Sequence, residues 1–297
     1  MGGAELKKWI IAGSILLLCF SSIAIAAPTI EAERVEVPLE LQGNTYELDA
    51  MLYKPTGPGP FPGMVITHGT SRKVADRKKI AADDYYVKNA KMFAEMGIAV
   101  LFVVRRGFGV SEGTYSEFNK YPDGRRNYTK DGLEAAKDLG AAVRYLQEQP
   151  FVNKHKIVLL GQSTGGHSAL ATGSLNLPGV VGVVNFAGGR GSVGPDEVRD
   201  EDTLVDSFKT YGKTFRVPTI WLYSENDLYF GPELAQRFLT AFKSGGARVN
   251  FVSLPAWGED GHSSFLRAQD NWLDAVYEFL QKIGLISSLG LLQEQAA

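Results

Sequence analysis

Cysteine is nearly missing from this chain. Cys19 is the only one, and it lies inside an apolar leader. The rest of the chain therefore has no disulfide, no thiolate nucleophile and no cysteine metal site. Histidine is scarce as well, with four residues in 297. No pair of them stands with a carboxylate at metal-ligand spacing, so no metal and no cofactor is expected. Neither sign of charge is in excess: 31 basic side chains face 33 acidic ones. A nucleic-acid partner, which calls for a strongly basic face, is not expected. The single basic cluster, Arg72, Lys73, Arg77, Lys78 and Lys79, reads as a solvated loop.

Long apolar runs are absent except at the start. Lys7 and Lys8 precede an apolar stretch from Trp9 to Ile25, and Ala24-Ile25-Ala26-Ala27 follows. A basic start, a short apolar core and an A-x-A ending are the marks of a secretory signal peptide. The expectation is a signal peptide over 1–26, cleaved after Ala26, and a single domain over 27–297. The protein would then be periplasmic or secreted, with no lasting membrane association. The alternative is an uncleaved anchor, because the run approaches spanning length. Hydrophobic residues make up 44% of the chain, enough for a sizeable core.

Two alternating segments, 34–41 and 45–53, flank Gly43-Asn44 and read as an antiparallel hairpin. Short, almost wholly apolar runs follow at 64–67, 98–104, 157–160, 180–186, 219–223 and 249–254. Such runs suit strands buried on both faces of a parallel sheet. Amphipathic segments separate them. One carries Ala135, Leu139, Ala142 and Leu146 on one face, and the last carries Leu273, Val276, Tyr277, Leu280 and Ile283. The fold class expected is α/β, a mostly parallel sheet of about eight strands flanked by helices. Only 192–215 leaves room for a lid, so no large cap is expected.

Ile157–Leu160 runs into Gly161-Gln162-Ser163-Thr164-Gly165, and a helical pattern follows. A G-x-S-x-G between a buried strand and a helix is the setting of a nucleophile elbow. The turn is so tight that side chains two before and two after the serine would clash, hence glycine at 161 and 165. Ser163 is the candidate nucleophile. His262, on the loop after the last expected strand, is the candidate base, and the chain order serine, acid, histidine suits this architecture. Asp227, after the 219–223 strand, is the preferred acid; Glu225 is its rival, and Asp260 stands too close to His262 to face its ring. Developing negative charge on an acyl carbonyl needs backbone donors. The N–H of Thr164 and that of Thr70, after His68-Gly69, are expected to supply them. His68 is expected to shape that loop, His167 to pack in the elbow helix, and His155 to be solvated.

These residues resemble the α/β-hydrolase superfamily, most of all its dienelactone-hydrolase-like branch. The resemblance covers nearly all of 27–297: the hairpin, His68-Gly69, the elbow, the Asp227 turn and His262. Arg106-Gly107-Phe108-Gly109-Val110-Ser111 is similar to the family's D-x-R-G-x-G-x-S segment, with Val104 where the pattern has Asp. Dienelactone hydrolases proper use a cysteine nucleophile, whereas Ser163 stands here. The resemblance therefore implies a general carboxylic ester as the small-molecule substrate, cleaved through an acyl-enzyme. Phe108, Arg190, Tyr229 and Trp257 all follow carboxyl ends of strands, where ligands collect in open α/β sheets. They are the candidate substrate contacts, with Arg190 a candidate partner for a substrate carboxylate. A serine peptidase of the prolyl-oligopeptidase kind, a thioesterase or acyltransferase, and a non-catalytic binding protein are the competing readings.

Overall fold

The computed structural model describes residues 29–287. The expected signal peptide and the tail after Ser287 lie outside the described residues.

The chain opens with β1 (Ile30–Leu41) and β2 (Asn44–Pro55), paired antiparallel from Ile30↔Pro55 to Leu41↔Asn44. The turn falls on Gln42 and Gly43, both left-handed at φ 51° and 81°. Two successive left-handed residues match the twist of a tight hairpin. The turn sits one residue earlier than the sequence suggests, because Asn44 is already paired.

Next come β3 (Phe61–Thr67), α1 (Val87–Glu95), β4 (Ala99–Val103), α2 (Tyr128–Glu148), β5 (Val152–Gln162), α3 (Thr164–Gly173) and β6 (Val180–Phe186). A small hairpin follows, β7 (Ser192–Gly194) with β8 (Glu197–Val198), then α4 (Glu201–Thr214), β9 (Thr219–Ser224), α5 (Pro232–Ser244) and β10 (Asn250–Leu254). The short α6 (Ser264–Arg267) and α7 (Leu273–Lys282) end the described chain. The segment held open for a lid thus contains the hairpin and a core helix. Leu204, Phe208 and Tyr211 of α4 recur at helical spacing and are fully buried, so this helix belongs to the outer layer rather than to a flap.

The main sheet has eight strands in the order β1-β2-β4-β3-β5-β6-β9-β10. β2 joins β4 antiparallel, and the pairs from β4 to β10 are parallel. One face packs Leu139, Leu170, Phe208 and Phe238 from α2 to α5. The other packs Phe93, Trp272, Val276 and Leu280 from α1, α7 and the turn before it. Among the described residues no helix is long and apolar enough to cross a membrane.

This topology determines where chemistry can occur. The chain runs from β3 outward to β4, then returns to the other side of β3 as β5. Loops leaving β3 and β5 therefore diverge at their carboxyl ends and open a crevice. The pairing Thr67↔Gly161 sets the last residue of β3 beside the glycine that begins the elbow. The contact is tight. A Cβ on Gly165 would lie 2.5 Å from the Thr67 carbonyl oxygen and 2.6 Å from that of His68. Both obstacles are backbone and cannot rotate away. We expect Gly165→Ala to destabilise the fold by about 3 kcal/mol or more, read as a fall in the denaturant midpoint.

Candidate active site

Ser163 occupies the turn between β5 and α3 with φ 57° and ψ −124°, a strained conformation for a residue with a Cβ. Such strain persists only where the surroundings over-determine it. Here the Ser163 N–H donates to the Phe186 carbonyl at 2.9 Å, which locks the turn to β6. The side chain stands at the N-terminus of α3, where unpaired N–H groups concentrate positive potential.

Asp227 follows β9 and is buried. Its Oδ1 accepts the N–H groups of Tyr229 and Phe230 at 2.7 and 2.9 Å, and its Oδ2 lies 3.0 Å from His262 Nδ1. A carboxylate on Nδ1 places the ring proton there and leaves Nε2 as the acceptor. Burial pushes the Asp227 carboxyl up, but the His262 ring and the hydrogen bonds outweigh it, and the net direction is below the usual carboxylate range. His262 is anchored through its backbone. Its carbonyl accepts from Gln162 Nε2 at 2.7 Å, so the residue before the elbow serine holds the histidine loop. Its N–H donates to Asp260 Oδ1, which also accepts the Leu228 N–H. Asp260 thus ties the histidine loop to the acid loop, while Glu225 is exposed. Tyr229 stacks on the His262 ring at 3.9 Å, and the Arg72 guanidinium lies 3.6 Å from the centre of that tyrosine ring.

The loop after β3 is built around His68. Its Nε2 accepts the Arg105 N–H at 3.1 Å, so the proton is assigned to Nδ1, which donates to the Gly69 carbonyl at 2.7 Å. Burial, helped by the Arg105 cation, pushes the His68 pKa well down and keeps the ring neutral. The Gly69 carbonyl and the Thr70 N–H belong to one planar trans peptide and point opposite ways. By holding the carbonyl, His68 turns the Thr70 N–H away from itself, and Thr70 lines the cleft beside Ser163. Thr70 Oγ1 and Thr164 Oγ1 are 2.8 Å apart, which joins the two loops that carry the expected donors. Among the described residues neither the Thr70 nor the Thr164 N–H donates to a protein acceptor.

Behind these donors lies a buried ionic cluster. Glu117 receives Arg105 Nε on Oε1 at 2.6 Å and Arg190 Nη1 on Oε2 at 2.5 Å. Burial alone would raise the Glu117 pKa; the two guanidinium groups bring it down to about 2. Arg190 also donates to His167 Nδ1, to Ser168 Oγ and to the Thr164 carbonyl. It is 3% exposed. Arg190 borders the cleft as the sequence suggests, but its reading as the partner of a substrate carboxylate is corrected, because its donors already serve protein acceptors. His167 is fully buried in α3, and its Nε2 meets Ser207 Oγ at 2.8 Å.

Ser163 opens onto a cleft of about 370 Å³ walled by Thr70, Arg77, Tyr115, Phe118, Tyr229 and Phe230 among others. Tyr229 is where the sequence suggests. Phe108 and Trp257 are not among the lining residues. Phe108 is fully buried with its ring 4.6 Å from that of His68; it supports the loop after β3 from behind. The Trp257 backbone binds Asn226, so that residue closes the acid turn. The basic run is also corrected, since Arg72 and Arg77 line the cleft rather than only meeting solvent. Glu117 and Arg105 were not singled out by sequence reasoning, and Arg77 was read only as part of a solvated basic run. The one available signal was that Arg105 and Glu117 flank the arginine-glycine loop. A larger hollow of about 1190 Å³ lies at the amino-terminal ends of β9 and β10 beside α7, and no serine or histidine lines it. Among the described residues no cluster of metal-ligating side chains occurs.

Comparison with known proteins agrees with this architecture. Residues 66–191 match the family described as serine aminopeptidase, S33. A Klebsiella pneumoniae protein designated a dienelactone hydrolase is similar over 86% of this chain and 99% of its own, at 15% identity and a TM-score of 0.59. The Pyrococcus furiosus esterase Pf2001 is similar over 86% and 91%, at 17% identity and a TM-score of 0.58. The Pyrococcus horikoshii acylaminoacyl peptidase is similar over 88% of this chain but only 43% of its own, at 19% identity and a TM-score of 0.61. The fold is that of the α/β-hydrolases. Within it, Gln162, the residue before the elbow serine, holds the loop of His262, whose ring is paired with the buried Asp227; among the described residues no hydrogen bond joins Ser163 Oγ to His262.

Proposed function

We propose that the protein is a serine hydrolase that cleaves carboxylic esters through an acyl-enzyme on Ser163. The observation that carries the reading is the hydrogen-bonded Asp227–His262 pair, held by Gln162 next to the strained elbow serine. In the first step His262 Nε2 takes the Ser163 proton as Oγ attacks the carbonyl carbon. The tetrahedral oxyanion is stabilised by the Thr164 and Thr70 N–H groups. The C–O bond to the alcohol breaks, and His262 returns the proton to the leaving oxygen. In the second step His262 deprotonates a water, which attacks the acyl carbon; the acid leaves and Ser163 is regenerated. A fluorophosphonate probe with adduct mapping, run beside turnover of a short p-nitrophenyl ester, tests this. An adduct on Ser163 supports it. Folded protein that takes no label and turns over no ester would point to a non-catalytic binding protein.

The cleft also bears on the competing readings. An aminopeptidase needs a free carboxylate to hold the substrate α-ammonium. The lining contains five arginines, Arg72, Arg77, Arg126, Arg190 and Arg199, of which Arg126 is paired with Asp131, and its only carboxylate, Glu117, is engaged by Arg105 and Arg190. This balance favours neutral or acidic esters over a free amino terminus. Arg77 is the side chain best placed to meet an anion. It lies 3.7 Å from the Tyr115 ring, and its buried Nε has no hydrogen-bond partner among the described residues. The p-nitrophenyl half-ester of glutaric acid is expected to be preferred over p-nitrophenyl butyrate. Arg77→Gln should cost about 10-fold in kcat/KM on the half-ester and less than about 2-fold on the butyrate, as for loss of one charge-assisted bond. Equal losses on both esters would mean that Arg77 only props the loop. A thioesterase or acyltransferase would be distinguished by product analysis with added thiol or alcohol. The leader over 1–26 supports the further proposal that the protein is exported, which the mass of the protein recovered from the periplasm or medium would check.

A further inference from the structure

We infer that Glu117, through the two arginines it holds, is a positioning residue for the oxyanion hole. The inference rests on the serine-hydrolase reading of Ser163. Glu117 touches none of the reacting groups. It lies in the loop between β4 and α2, and its carboxylate accepts from both Arg105 and Arg190.

Each arginine grips one part of the hole. Arg105 Nη1 donates to the His68 carbonyl at 2.6 Å and to Thr67 Oγ1 at 2.8 Å, and Nη2 donates to Thr164 Oγ1 at 3.1 Å. Its own N–H binds His68 Nε2, which sets the tautomer that holds the Gly69 carbonyl. Arg190 Nη2 donates to the Thr164 carbonyl at 3.3 Å, one residue past the nucleophile. The two donor peptides come from chain segments 94 residues apart. The ion cluster ties both together, while their N–H groups donate to no protein acceptor among the described residues.

Charge reinforces geometry. Two guanidinium groups against one carboxylate leave the cluster with one net positive charge, since His68 and His167 are both pushed well below their ordinary pKa by burial. At 3% exposure or less for each of the three side chains, that charge acts on the oxyanion with less screening than in bulk water. Glu117 is needed for a second reason. Without it, two buried like charges would face each other, and the favourable response is for one guanidinium to swing away. Either movement releases Thr164 or the His68 loop.

The test uses Glu117→Gln and Arg105→Lys, which keep side-chain size but remove the shared charge and the forked donor respectively. A fluorophosphonate titration first counts reactive Ser163, so that all rates are per competent site. The readouts are kcat and KM for a p-nitrophenyl ester, and affinity for a phenylboronic acid, whose Ser163 adduct places a charged oxygen in the hole. We expect kcat to fall about 10- to 100-fold with KM within about 3-fold, and boronate affinity to fall in proportion to kcat/KM. An unchanged kcat per titrated site overturns the inference. So does a lower kcat with boronate affinity intact, because a merely structural defect would leave the surviving sites with a working hole. Should Glu117→Gln fail to fold, Arg105→Lys decides by the same criteria. Wild-type protein that takes no fluorophosphonate would instead overturn the serine-hydrolase reading, and this inference with it.

Discussion

Ser163→Ala is expected to lower ester turnover by about 10⁴-fold or more, because the nucleophile of an acyl-enzyme route cannot be replaced by a methyl group. The substitution is clean for a structural reason. The strain at this position comes from a Cβ held at φ 57°, and alanine has the same Cβ. The elbow, its Ser163 N–H bond to Phe186 and the start of α3 all remain. Circular dichroism and the denaturant midpoint should be unchanged while turnover and fluorophosphonate labelling disappear. Retention of more than a tenth of the activity would mean that the ester is cleaved elsewhere, and the mapped adduct would show where.

Asp227→Asn is expected to reduce kcat by about 10⁴-fold at neutral pH, with little change in fold. Two backbone N–H groups, from Tyr229 and Phe230, point at Oδ1. An asparagine keeps its carbonyl oxygen there and must turn its amide toward His262. The ring can satisfy an NH₂ donor only with a bare Nδ1, which moves the ring proton to Nε2. That nitrogen can then no longer accept the serine proton. The change also has a pH signature. The Asp227 pKa is depressed in the folded state, so the carboxylate contributes stability that is complete above its unfolded value, about 3.9. That contribution is lost as the pH falls through the folded value. The variant should lose that acid-side contribution, measurable as a shallower decline of the urea midpoint below about pH 4. A variant that loses less than about 10-fold in kcat would exclude Asp227 as the group that sets the His262 tautomer.

Much of this architecture was legible because parallel strands carry their own label. The run at 180–186 coincides with β6, since both of its faces are covered. β5 was only half visible. Its first residues, Asn153 to Lys156, are mostly exposed at the sheet margin and lack the apolar signature. Helix α4 was overlooked although Leu204, Phe208 and Tyr211 follow helical spacing, because its segment was weighed only as a lid. The elbow could be read because its requirements are local: two glycines, a strand before and a helix after. The direction of an arginine is not local. Arg190 follows β6, at the edge where ligands collect, yet it faces inward because Glu117, 73 residues earlier, draws it there. Arg77 was assigned to solvent because a basic run says nothing about a tyrosine 38 positions later that offers it a ring.

Arg72 has a consequence for how substrate enters and leaves. Its guanidinium donates to Ser192 Oγ in the small hairpin, to the Gly194 carbonyl and to the Leu228 carbonyl beside the acid. It also lies over Tyr229, which covers the histidine. One side chain from the oxyanion loop thus straps together three walls that come from distant parts of the chain. Walls tied in this way breathe as a single body and do not act as separate flaps. In the serine-hydrolase reading the mouth is then expected to stay assembled through each turnover, with entry set by fit rather than by a separate flap.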